Sequence, residues 1–224
     1  MLKAIIFDCD GVIADTEPLH LRAFQQVLAE EGITLTKEDY YRYYLAFDDR
    51  GCFDRAFSGR ARPSTEKLAE LTGRKAAYIE PMMRAELRLF PGAVDLIRRA
   101  ARRYPLAVAS GALRREIMLI LECGGVKDCF LEIVSAEDVT RGKPDPESFL
   151  KAHSALSARL ERPIAHRECL VIEDSLHGIE AARLAGMPVL AVATSYPAEE
   201  LSKADLVVES LDGLSFEALE GIAN

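Results

Sequence analysis

Ala4-Ile5-Ile6-Phe7-Asp8-Cys9-Asp10-Gly11-Val12 is the stretch whose reading decides the fold. Four apolar residues run straight into an acid. A short run with no polar alternation is the pattern of a strand buried on both faces of a parallel sheet. The pattern recurs at Leu106-Ala107-Val108-Ala109, Cys169-Leu170-Val171-Ile172, Pro188-Val189-Leu190-Ala191-Val192 and Leu206-Val207-Val208. Helical signals lie between the runs. Pro91-Gly92 opens one helix, with Val94, Leu96, Ile97 and Ala100 on its inner side. A second, from Leu113 to Cys123, buries Ile117, Ile120 and Leu121 and stops at Gly124-Gly125. A third carries Phe149, Leu150, His153, Leu156 and Leu160. This alternation predicts an α/β fold with a doubly wound parallel sheet, Rossmann-like in layout.

Residues 15 to 90 break the rhythm and carry only helical signals. One helix is expected from Glu17 to Glu31, with Leu21, Phe24 and Leu28 on one face and Gly32 as its stop. Thr36 with Asp39 resembles a capping box that opens a second. Ser64 can cap a third that ends at Gly73, and Lys75 to Arg88 reads as a fourth, bent at Pro81. The expected organisation is therefore an α/β core from residues 1–14 and 91–224, with an all-helical cap inserted at 15–90. The chain leaves the core near Ala14-Asp15 and returns near Phe90-Pro91-Gly92, which makes those the candidate hinges.

Bulk properties narrow the function classes. The 49% apolar and 29% charged fractions over 224 residues are those of a globular protein. No window approaches the roughly 18 uninterrupted apolar residues of a spanning helix, so no membrane role is expected. The apolar N-terminus is broken by Asp8 and Asp10 and reads as a strand, not a signal peptide. Five cysteines, an odd number without metal spacing, fit reduced thiols in a cytoplasm. A net charge of −8 argues against nucleic acid as the partner. It would also repel a phosphate, so any phosphate site must gather local positive charge.

Four polar clusters follow predicted strands, where open parallel sheets place their ligands. In Asp8-Cys9-Asp10-Gly11, two carboxylates can divide labour, one attacking and one moving protons. Residues two apart converge only if the chain turns, which Gly11 permits; a polar strand exit is the plainer alternative. Ala109-Ser110-Gly111-Ala112 offers a hydroxyl and helix-start N–H groups, suited to phosphoryl oxygens or simply to capping a helix. Arg141-Gly142-Lys143-Pro144-Asp145-Pro146-Glu147 holds a lysine in a defined loop that is not a P-loop; a surface turn is the alternative. In Val171-Ile172-Glu173-Asp174-Ser175, acids after an apolar strand are costly unless a cation pairs with them. A helix N-terminus that favours acids would also explain them.

The order of the four clusters resembles the haloacid dehalogenase superfamily, in the subgroup with a helical cap after the first motif. That subgroup includes β-phosphoglucomutase-like and phosphoglycolate phosphatase-like enzymes, and the resemblance covers essentially the whole chain. It implies that Asp8 is the nucleophile and Asp10 the general acid/base. It implies that Ser110 and Lys143, with the Gly111 and Ala112 segment, hold a phosphoryl group. Mg²⁺ would be bound by Asp8, the main-chain carbonyl of Asp10, Glu173 and Asp174. An acid at position 10 suits an alkoxide leaving group, so the implied activity is hydrolysis of a small phosphorylated metabolite. In the cap, Thr16 and His20 match the start of the mutase-like pattern. Leu45-Ala46-Phe47-Asp48-Asp49-Arg50 resembles a loop that carries a lysine and a glycine in the mutases; here these are Ala46 and Phe47, while Arg50 survives. Hydrolase therefore outranks phosphosugar mutase, and a non-catalytic phosphometabolite-binding regulator ranks below both. Tyr40, Tyr41, Tyr43, Tyr44 and Phe47 read first as helix packing and second as an aromatic wall. The expected partner is a small phosphorylated molecule, and the expected state a monomer or weak homodimer.

Overall fold

Four residues, Ala4–Phe7, form β1 at the centre of the sheet, every one of them buried. The computed structural model describes residues 1–45, 47–160 and 163–223. Ala46 of the cap-loop comparison lies outside the described residues. After β1 come β2 (Ala14–Asp15), α1 (Glu17–Glu30), α2 (Lys37–Tyr43), α3 (Asp49–Ala56), α4 (Thr65–Glu86) and β3 (Arg88–Leu89). Then follow α5 (Ala93–Ala101), β4 (Leu106–Ala109), α6 (Arg114–Cys123), β5 (Glu132–Val134), α7 (Glu147–Arg159) and β6 (Cys169–Glu173). The described chain closes with α8 (Leu176–Leu184), β7 (Val189–Val192), β8 (Leu206–Val208) and α9 (Phe216–Ile222). The main sheet has six parallel strands in the order β5-β4-β1-β6-β7-β8. This is the doubly wound α/β architecture that the apolar runs predict.

Contacts divide the chain into two compact units, Met1–Asp15 with Arg88–Asn224, and Thr16–Leu87. In the larger unit, one face of the sheet buries Ala4, Ile6, Ala107, Val171 and Val189 against Phe149, Ala152 and Leu156 of α7 and Ile179 and Ala182 of α8. Strand order reverses at β1, which pairs with β4 on one side and β6 on the other. That reversal opens a crevice at the carboxyl ends of these three strands. The short β2 and β3 pair antiparallel, Ala14 with Leu89 and Asp15 with Arg88, and belong to the larger unit. Neither they nor β5 were expected. Two- and three-residue strands with half-exposed positions carry too few apolar residues to register as a period.

The smaller unit packs Leu21, Phe24, Val27 and Leu28 of α1 with Leu35, Tyr40, Cys52, Phe53 and Leu71. Thr36 caps α2 by accepting from the Asp39 N–H at 3.0 Å, and Ser64 caps α4 by accepting from Lys67 at 3.2 Å. Two expectations are corrected. An extra helix, α3, starts at Asp48, whose carboxylate accepts from the Gly51 N–H at 2.8 Å. The helix from Ser64 also does not stop at Gly73 but runs on through Pro81 to Glu86 as one 22-residue element. An interior glycine costs only about 1 kcal/mol relative to alanine. Fully burying Leu71 and Ile79 on either side of it returns about 1.5–3 kcal/mol each. Of the aromatic run, Tyr40 is buried in the core and half-buried Tyr44 packs against it; Tyr41, Tyr43 and Phe47 are exposed. The Arg55 guanidinium lies 5.5 Å from the Phe47 ring centroid and 5.6 Å from that of Tyr43.

Candidate active site

The chain leaving β1 turns at once. Gly11 adopts φ +74° and donates its N–H to the Ala14 carbonyl at 2.9 Å, while Ile13 N–H donates to Cys9 O at 2.8 Å. A left-handed residue is most readily glycine, and here space demands it as well, because a Cβ on Gly11 would collide with the Asp174 carboxylate. The turn lets Asp8 and Asp10 serve the same crevice despite their spacing. The Ser110 hydroxyl, past the end of β4, stands 3.5 Å from Asp10 Oδ2. It also accepts from the Ala112 N–H at 3.2 Å. Ser110 does not cap α6; that position is Leu113, which removes the plainer reading of this cluster. Gly111 is exposed and Ala112 buried beside it.

Lys143 arrives from the loop before α7. Its ammonium donates to Asp8 Oδ1 at 2.7 Å and to Glu173 Oε1 at 2.6 Å, and sits 4.7 Å from the Phe149 ring centroid. The loop is held by Glu147, which accepts from Thr140 N–H at 3.1 Å, Thr140 Oγ1 at 2.8 Å and Arg141 N–H at 3.1 Å. Glu173 Oε2 accepts from the N–H groups of Asp174 and Ser175, each at 2.7 Å. Its carboxylate fills the space that a Cβ on Gly178 would need.

These charges are buried together, and burial sets their ionisation. Burial pushes Asp8 up to about 7; Lys143 pulls it down, while Glu173 and Asp10 push it further up. Burial alone would lower Lys143, yet Asp8 and Glu173 hold it well above its ordinary value. Burial alone would raise Glu173, but Lys143 and the two N–H donors hold it below the usual carboxylate range. Asp8, Glu173 and Asp174 each offer a carboxylate oxygen within 4.8 Å of the others. Three buried carboxylates, two of them bonded to one lysine, form a site short of positive charge. Hard oxygen donors at this spacing suit a small divalent cation such as Mg²⁺.

The larger unit thus brings together Asp8, Asp10, Ser110, Lys143, Glu173 and Asp174. Thr16, His20 and Arg50 belong to the smaller unit. There Thr16 is fully buried, Arg50 is exposed on α3, and His20 is buried with Nδ1 2.7 Å from the Lys75 ammonium. Lys75 is itself completely buried and also donates to Asp49 Oδ1 at 2.9 Å. Sequence reasoning overlooked Lys75 because it read as the first residue of a helix, where a lysine is ordinarily exposed. It also overlooked Thr194 and Ser195. Thr194 Oγ1 donates to the Gly11 carbonyl at 2.5 Å, and Ser195 Oγ donates to Asp174 Oδ2. Their signal was available: the pair follows the apolar run Pro188–Val192, as the other clusters follow theirs.

Residues 5–192 match the model of the haloacid dehalogenase-like hydrolases. Protein CbbY of Rhodobacter capsulatus is 31% identical over 97% of this chain and 97% of its own length. Fructose-1-phosphate phosphatase YqaB of Escherichia coli is 29% identical over 84% of this chain and 95% of its own. The crystal structure of β-phosphoglucomutase from Clostridium difficile superposes with a TM-score of 0.86 at 26% identity, over 100% of this chain and 98% of that one.

Proposed function

The chain is an enzyme that belongs to the haloacid dehalogenase-like hydrolase family, and from that premise we propose that it hydrolyses a phosphosugar or similar small phosphomonoester through an aspartyl-phosphate on Asp8. The observation that carries this reading is the Lys143 ammonium bridging Asp8 and Glu173 at the switch point of the sheet. A lysine in that position turns a nucleophilic carboxylate towards the crevice and leaves positive charge where phosphoryl oxygens would lie.

In the first half-reaction an Asp8 carboxylate oxygen attacks phosphorus and the P–O bond to the alcohol breaks. Asp10, protonated at the start, gives its proton to the departing oxygen. Ser110 and Lys143 hold the equatorial phosphoryl oxygens in line. In the second half-reaction Asp10, now a carboxylate, takes a proton from water as the water oxygen attacks phosphorus. Inorganic phosphate leaves and Asp8 is restored. Asp8, the Asp10 main-chain carbonyl, Glu173 and Asp174 would hold Mg²⁺, which when bound offsets the negative charge of carboxylates and phosphoryl group as they approach. The five free cysteines suit a reducing compartment, and among the described residues no helix is long and apolar enough to cross a membrane.

The phosphosugar class follows from the relatives, one of which is named for fructose 1-phosphate. The test is a panel of phosphate esters that includes fructose 1-phosphate and β-glucose 1-phosphate, assayed with Mg²⁺ and with EDTA. Release of inorganic phosphate that stops with EDTA and returns with Mg²⁺ is expected. Full activity in EDTA would overturn the metal assignment. Glucose 6-phosphate formed without phosphate release would make the chain a mutase.

A further inference from the structure

The turn after β7 is anchored at its start and reaches back to two strand ends of the site. Ala193 N–H donates to the Val208 carbonyl at 2.9 Å and Thr194 N–H to the Val192 carbonyl at 2.9 Å. From this support Thr194 Oγ1 donates to the Gly11 carbonyl at 2.5 Å. Ser195 Oγ donates to Asp174 Oδ2. Neither hydroxyl has a part in the reaction above. The two acceptors are neighbours as well, since the Asp174 carboxylate fills the space beside Gly11 that a Cβ would take. One turn therefore grips both the loop that presents the Asp10 carbonyl and the carboxylate at the end of β6.

We propose that Thr194 and Ser195 are positioning residues that set the divalent-cation affinity of the carboxylate cluster; this rests on the metal reading above. The torsion that turns a carboxylate about its last bond is broad and only roughly two-fold. A hydroxyl bonded to one oxygen removes that freedom and fixes the plane the other oxygen presents. Mg²⁺ demands near-ideal octahedral geometry, so it is sensitive to a ligand that rotates. Hydrogen-bond partners of metal ligands are commonly worth 10- to 100-fold in affinity for that reason. Thr194 acts one step further away, by fixing the peptide that follows Asp10, so its effect is smaller.

Calorimetric titration of Mg²⁺ into the intact protein, without substrate, tests this directly. Ser195→Ala should raise the Mg²⁺ Kd about 10-fold or more, with Thr194→Val shifting it less in the same direction. Ser195→Thr keeps the hydroxyl and should restore the affinity towards wild type. Mn²⁺ binding followed by electron paramagnetic resonance should rank the four proteins in the same order. Wild-type affinity in Ser195→Ala would overturn the inference and leave the metal site standing. A folded wild type that binds neither ion would overturn both.

Discussion

The two units bury charge in different ways. In the larger unit, buried Asp8, Glu173 and Asp174 sit at or just beyond the ends of β1 and β6, with Lys143 brought in by a loop. Backbone geometry delivers them: parallel strands end side by side, and the N–H groups just beyond β6 meet the Glu173 carboxylate. In the smaller unit Lys75 is buried in the middle of α4, over the Phe24 ring and against His20 and Asp49. Only side-chain packing delivers that one. Among its other charges are partly exposed networks, such as Arg74 with Glu30, Glu31 and Glu70. In the larger unit strand ends gather the charge, whereas in the helical unit neighbouring helices enclose it.

The sharpest way to break this contrast is Asp8→Asn. Turnover should fall on the order of 10⁴-fold or more, since the amide is a poor nucleophile in nearly the same shape. The fold should not suffer. Asp8 titrates near 7 because burial raises it, so its ionised form disfavours the folded state at higher pH. With chelator present, the variant should melt above wild type at pH 8, and the gap should close as pH falls from about 7 towards 3.8. A lower melting temperature at pH 8 would contradict this account.

Phe53→Ala should show the opposite profile, because that ring is fully buried among Phe24, Leu28 and Tyr40. Denaturant titration should report a loss of about 3–5 kcal/mol. Lys75→Met keeps the stem and removes the ammonium, taking one donor from His20 and one from Asp49. Asp49 keeps a fifth of its side chain exposed and can recover water, so a loss of about 1–3 kcal/mol is expected by the same measurement. No loss would mean that the lysine is merely tolerated there. The smallest effect is a gain. A Cβ on Gly73 meets nothing within 4 Å and the backbone is helical. Gly73→Ala should therefore stabilise the protein by about 0.5–1 kcal/mol. Destabilisation would show that the glycine has a packing role after all.

Legibility followed the same division. The central strands were readable because runs of only four or five apolar residues are too short for buried helices, and the acids that stop β1 and follow β6 mark the crevice of the sheet. Gly73 misled because glycine signals a helix end only when nothing beyond it needs burying, and Ile79 and Met83 did. Asp48 is an ordinary N-cap residue, accepting from the Gly51 N–H, within a segment dominated by aromatic residues. β5 stayed hidden because Glu132 and Ile133 are only half buried.

The sequence by itself determined the apolar central strands, the helices α5, α6 and α7 between them, the turn at Gly11, and the acid, serine or lysine that follows each strand. Each depends on residues close along the chain, where apolar period and backbone stereochemistry act. Tertiary structure alone decided that α4 runs unbroken, that Lys75 is enclosed, and that Thr194 bonds a carbonyl 183 residues away. A contact across that separation has no local signature, because it exists only once the packed sheet has brought the turn after β7 across β6 to the turn after β1.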